Sequence, residues 1–414
     1  MSLAETALTA PLRAESPSQL AARAATEARM RDPRLDFFRG IAMFIILVSH
    51  TPGNWLTAWI PARFGFSDAT EIFVFCSGMA SAIAFGAVFA RRGLWMGTAR
   101  VAFRCWQVYW AHIGLFFAVA ATVAALDATG AFERIYVGEL NLVPFFEDTA
   151  ANLVGLMTLT YVPNYFDILP MYLVILAMMP VMVALYRLSP WAALAAVVGI
   201  WVAAQVDLLA LSAEPWSDRE WFFNPFGWQL VFFTGFAFMA RWLPAPPRAR
   251  WLVWVALAFV VLTTPVSSPR VLEVMKVVWP ASAEWSMAFY ADIREFREKT
   301  DFGILRYVHF LALAYLAWMA AGEGGHRLRP PEGDGAIARA WEALLAVIMK
   351  VGQQSLAVFI ASMYLARILG LALDIAGRNH LTMLVVNLAG FCVLAAVAYG
   401  AGWFKSQPWR RTKG

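Results

Sequence analysis

The chain has 414 residues, 61% of them hydrophobic and only 15% charged, with 31 Phe and 19 Trp. Globular domains lie near half apolar and a quarter charged, so this balance excludes an ordinary soluble protein, and equally a disordered or coiled-coil one. The net charge of +5 gives nucleic-acid binding little support and instead reports which loops of a membrane protein face the cytoplasm.

In chain order, residues 1–34 are Ala/Arg-rich and polar, without a signal-peptide core, and read as a cytoplasmic tail. Crossing the hydrocarbon layer takes roughly 20 apolar residues in a helix. Such stretches lie at 35–52, 68–90, 102–126, 166–187, 190–211, 225–242, 250–268, 303–322, 351–374 and 381–404. The shorter run at about 150–162 ends in Tyr161-Val162-Pro163-Asn164 and reads as an interfacial or re-entrant helix. No alternating ten-residue strand pattern appears, so helices are the spanning element. The expected fold is an all-α, polytopic membrane protein of about ten transmembrane helices. Its membrane domain covers 35–404, and a cytoplasmic tail follows at 405–414. Most of the 33 Lys and Arg fall in the two tails and in the segments 91–100, 241–250 and 323–350, which places both termini in the cytoplasm. The outer segments 127–149 and 269–302 mix acids, bases and aromatics, among them Trp279, Trp285 and Tyr290. They read as amphipathic stretches at headgroup depth, with a sugar-like ligand as the alternative. Cys76, Cys105 and Cys392 fall in three separate apolar runs and give no disulfide framework.

Ionisable groups inside spans are unfavourable enough that each stands as a site hypothesis in need of a partner. In the first span, Arg39 and His50 are eleven residues apart, almost three whole turns, so both project from one stripe about 16 Å apart along the axis. The second span opens with Ser67-Asp68-Ala69-Thr70-Glu71 at the same outer boundary as His50. A carboxylate from Asp68 or Glu71 can there meet the imidazole, fix its tautomer and stabilise its protonated form. The plainer reading is a helix-end histidine with Asp68 as an N-cap. Asp167, Asn224, Gln229 and His309 lie at the same depth. Asp167 reads equally as an N-cap, while His309 and His112 read as buried histidines with one hydrogen bond each. Near the inner face lie Arg91, Arg92, Arg100, Arg104 and Lys350, mostly positive-inside signal, although Arg104 sits within an apolar span, where it must snorkel or meet an anion. No metal-binding spacing, P-loop, G-x-S-x-G or dinucleotide fingerprint occurs. A cationic inner face, an axial stripe and an outer imidazole with acids suit transfer of a group from an anionic donor inside to an acceptor outside.

The run Arg31-Asp32-Pro33-Arg34-Leu35-Asp36-Phe37-Phe38-Arg39-Gly40, followed by His50, resembles the opening of the OpgC family, succinyltransferases of osmoregulated periplasmic glucans. Further matches are Phe64-Gly65-Phe66-Ser67-Asp68-Ala69-Thr70-Glu71, Phe166-Asp167-Ile168-Leu169-Pro170, Asn224-Pro225-Phe226-Gly227-Trp228-Gln229 and Gly352-Gln353-Gln354-Ser355. More broadly, Arg39 and His50 resemble the basic residue and histidine, ten positions between them, of transmembrane acyltransferases of the acyltransferase-three type. Those relatives often carry two arginines with two residues between them near the third span, whereas Arg100 and Arg104 have three. The resemblance implies a multi-pass protein of the bacterial inner membrane with no bound cofactor. Its donor would be succinyl-coenzyme A, held by Arg39, Arg104 and Arg100, and its acceptor a periplasmic glucan. His50 would be the general base, supported by Glu71 or Asp68, with Asp167, His309, Asn224 and Gln229 seating or supporting the acceptor. Two alternatives stay open: a transporter moving an anionic small molecule along the same polar path, and a two-step transferase in which His50 itself becomes acylated.

Overall fold

The computed structural model describes residues 32–330 and 335–410; most of the N-terminal tail and the last four residues lie outside this range. The described chain is helical, its one β feature being an isolated bridge between Ser212 and Glu220. Among the described residues, six helices are long and apolar enough to cross a membrane. They are α2 (Ala69–Ala128), α6 (Ile168–Leu188), α9 (Arg250–Ser267), α12 (Ile304–Ala321), α14 (Ser355–Ala376) and α15 (His380–Ser406). The remaining expected spans correspond to α1 (Pro33–His50), which carries Arg34, Asp36 and Arg39, and to the apolar but shorter α7 (Pro190–Gln205) and α8 (Pro225–Met239).

The spans read at 68–90 and 102–126 are two limbs of α2, joined at Gly93, where the backbone leaves the helix at φ 80° and ψ 178°. Only glycine enters that region without a steric penalty. The limbs then fold together, since a Cβ at Gly97 would stand 2.1 Å from the Phe89 ring. Residues 136–158 form α3 (Tyr136–Glu139), α4 (Val143–Glu147) and α5 (Thr149–Thr158). At ten residues, α5 is half the length of a crossing. The segment 269–302 holds α10 (Pro269–Val278) and α11 (Pro280–Asp292). One helix, α13 (Ala336–Gln353), stands where the sequence reading has an inner loop. Its apolar residues Leu344, Ile348 and Val351 follow helical spacing, and the charges that made it look like a loop lie on its other faces.

Two glycine crossings set the core. Helix α8, apolar all round, is buried on nearly every face and meets α2 backbone to backbone. A Cβ at Gly78 would lie 1.9 Å from the Phe232 carbonyl, and one at Gly235 would lie 2.2 Å from that of Phe75. Helices α1 and α13 cross in the same reciprocal manner: Gly40 faces the Ile348 carbonyl and Gly352 the Asp36 carbonyl. Such approach of small residues is how helices associate where lipid removes the hydrophobic drive between them. The second crossing fixes the axial position of α1, and therefore of His50 at its end.

Candidate active site

His50 is the last residue of α1. Its Nδ1 lies 2.8 Å from the Ile46 carbonyl and 3.0 Å from Ser49 Oγ. A carbonyl only accepts, so Nδ1 carries the proton and donates it to Ile46, leaving Nε2 as the basic nitrogen. The ring lines a cavity of about 330 Å³ together with Ser49, Asp68, Tyr165, Asp167 and Lys299. The residue fixing the tautomer is thus a backbone carbonyl four positions back, where the sequence reading expected Asp68 or Glu71.

Asp68 caps α2, with Oδ1 accepting from the Thr70 amide at 2.7 Å. The same carboxylate also works across the fold: Oδ2 accepts from Lys299 Nζ at 2.6 Å and lies 3.6 Å from Arg306 Nη2. Glu71 closes the capping box by accepting from the Asp68 amide at 2.8 Å. It is fully buried and engages Arg306 at 2.5 and 2.8 Å. Glu71 therefore neutralises Arg306 and makes no bond to His50, a correction to the expected pairing. Asp167 also lines the cavity. Its side chain does not cap its own helix; it accepts from the Phe222 amide at 3.2 Å.

Lys299 and Tyr165 are the cavity residues that motif reading missed. Lys299 arrives from the segment 269–302 because the start of α8 clasps residues 299–302. Trp228 Nε1 donates to the Lys299 carbonyl at 2.9 Å, Asn224 Nδ2 to Asp301 Oδ1 at 2.8 Å, and the Asn224 amide to the Thr300 carbonyl at 3.0 Å. Burial pushes the Asp301 carboxyl above its ordinary range; the Asn224 amide opposes this, while the charges of Asp207 and Glu298 add to it. Asn224 is thus a positioning residue outside the cavity. Gln229 is buried and donates to the Val197 carbonyl at 2.7 Å, tying α8 to α7 away from the site.

Tyr165 holds a left-handed φ of 87°, an outlier for an aromatic residue. Three contacts hold it there: its hydroxyl donates to the Met363 carbonyl, its ring meets His50 edge-on at 5.5 Å, and the Arg367 guanidinium stacks 4.1 Å above its face. His309 sits behind the wall, with Nδ1 2.8 Å from Ser67 Oγ and Nε2 buried without a partner. His112 is wholly buried with neither ring nitrogen partnered, unlike the one-bond histidine the sequence suggested.

Arg39 lies eleven residues from His50, near the other end of α1, where its guanidinium meets Ser355 Oγ. Arg104 bonds Gln107 Oε1 at 3.1 Å along its own helix, and Arg100 is exposed on the same limb of α2. Neither enters the His50 cavity. Around His50 the cavity thus brings together a basic nitrogen, an ammonium and two carboxylates.

The family model described as OpgC protein matches residues 31–406, nearly the whole chain. The chain belongs to the OpgC family. No curated protein and no solved structure matches it. Membership in the OpgC family makes this a multi-pass membrane protein with an acyltransferase role in glucan modification.

Proposed function

We propose that this OpgC-family protein is an O-succinyltransferase of the bacterial inner membrane, moving the acyl group of cytoplasmic succinyl-coenzyme A to a hydroxyl of a periplasmic glucan. The observation that carries the reading is the His50 ring, locked by the Ile46 carbonyl with Nε2 left for a cavity that also holds Lys299, Asp68 and Asp167. Coenzyme A phosphates would meet Arg39, Arg100 and Arg104 on the inner side. The pantetheine arm would run along α1, bridging the roughly 16 Å between Arg39 and His50. A glucan hydroxyl gives its proton to Nε2 as its oxygen attacks the thioester carbonyl; the carbon–sulfur bond breaks, and the imidazolium returns the proton to the leaving thiolate. Lys299 would face the free carboxylate of the succinyl group, and Asp167 the acceptor. The membrane crossings in this reading are α1, both limbs of α2, α6, α7, α8, α9, α12, α14 and α15, with both termini cytoplasmic.

The test is incubation of detergent-purified protein with succinyl-coenzyme A and glucan, following free thiol and glucan mass together. Thiol release matched by added succinyl mass is expected. In folded His50→Ala the rate should fall by about 10²–10⁴, and undiminished transfer would refute the base assignment. Flux of an anion without thiol release would instead favour a transporter, a reading that family membership does not support. An acyl group trapped on His50 would replace direct transfer by a two-step route.

A further inference from the structure

A second cavity, of about 150 Å³, adjoins the first and shares Asp68 and Ala62 with it. Its other polar lining groups are Ser67, Ser267, Tyr290, Arg297 and Arg306. Its character differs from that of the His50 cavity, whose walls include Ile45, Ile46, Phe222, Phe223, Phe359 and Met363. Here guanidinium donors, hydroxyls that both donate and accept, and one carboxylate face a space the size of a single sugar ring.

Both of its arginines have partners before any ligand arrives, one of them ionic. Arg306 is held by Glu71 and Asp68. Arg297 lies flat on the Tyr290 ring, its guanidinium carbon 3.4 Å from the centroid, and its Nε donates to the Tyr290 carbonyl at 2.9 Å. A site dominated by unpaired cations would suit a phosphate or carboxylate. This one, with a carboxylate in its wall and its arginines engaged, suits a neutral group rich in hydroxyls, each of which needs both a donor and an acceptor. The outer segment that supplies Tyr290 and Arg297 also supplies Lys299, so both cavities share one support.

We propose that this polar cavity is a subsite for the sugar unit next to the one being acylated, the acceptor chain passing Asp68 to present its hydroxyl to His50. The inference rests on the transferase reading, whose acceptor is already a glucan, and adds to it the place where the neighbouring sugar binds. A monosaccharide would occupy the His50 cavity alone, whereas a longer acceptor gains the hydrogen bonds of the second cavity.

The experiment compares kcat/KM for gluco-oligosaccharides of one to four units with succinyl-coenzyme A as donor, in wild type, Arg297→Ala and Ser267→Leu. The leucine variant fills the cavity without removing a charge, and thermal unfolding in detergent checks that both variants fold. Wild type should favour the longer acceptors by about tenfold or more, the worth of one or two charge-assisted hydrogen bonds. Both variants should pull that ratio towards one while the KM for succinyl-coenzyme A stays put. A wild-type ratio near one, or a ratio retained in both folded variants, overturns the subsite. Absence of transfer to every one of these acceptors and to the full glucan overturns the transferase reading itself, and the subsite with it.

Discussion

His50 illustrates how one side chain is prepared by its own helix. Because it stands one turn beyond Ile46 on α1, its Nδ1–H reaches back to the Ile46 carbonyl of its own helix. The identity of the basic nitrogen is therefore decided locally, while the carboxylates nearby serve other bonds. Lys299 makes the opposite case, since nothing in its local sequence marks it. Its ammonium has two donors left after Asp68, and lies 5.5 and 5.9 Å from the Phe223 and Phe222 rings, among apolar walls that strengthen its pull on a free carboxylate. Lys299→Gln should lower kcat/KM for succinyl-coenzyme A relative to acetyl-coenzyme A by about tenfold or more. Equal losses with both donors would show that Lys299 only holds Asp68 in place.

Among the elements, the crossing of α1 and α13 explains two of the sequence motifs in terms other than chemistry. Gly40 closes the first motif and Gly352 opens the last, and each lies against the other helix's backbone. A Cβ at Gly352 would stand 1.9 Å from the Asp36 carbonyl, which a side chain cannot yield to without moving the helices apart. Gly352→Val should therefore destabilise the protein by at least the ~1–3 kcal/mol usual for overpacking, read as a lower unfolding temperature in detergent. Gly199→Ala in α7, where nothing lies within 4 Å of the added methyl, is the control and should be neutral or slightly stabilising. A Gly352 variant as stable as this control would mean the crossing does not set the position of α1. The start of α8 likewise acts as a clasp: Asn224 and Trp228 hold residues 299–301, and through them Lys299, over the cavity.

For the whole molecule, the arrangement is polar at one end and cationic at the other. His50, Asp68, Asp167 and Lys299 gather at one end of the bundle, while Arg39 lies eleven residues down α1 and Arg91 and Arg92 flank the Gly93 turn. The proposed orientation puts the His50 end in the periplasm. Asp218→Cys, exposed near the cavity-lining Phe222, should react with a membrane-impermeant maleimide in spheroplasts, whereas Arg92→Cys should react only after permeabilisation. The reverse pattern would place the cavity in the cytoplasm and remove the route from an inner donor to an outer acceptor.

The sequence by itself determined the class of this protein, because apolar runs of spanning length leave helices in a membrane as the only way to satisfy the backbone. It also determined the stripe joining Arg39 to His50, since helical periodicity is local. The motif containing Asp68 was legible as a cap for the same reason. What only the tertiary structure decided is which distant groups meet: Glu71 with Arg306, Asp68 with Lys299, Asp167 with the Phe222 amide. It also decided that α13 packs against α1, and that Gly93 turns one helix into two limbs. Each of these depends on a partner from 55 to 235 positions away, or on a packing face. Spacing along the chain carries no record of such partners, because a short helix or a lysine in a loop acquires its role only from what folds against it.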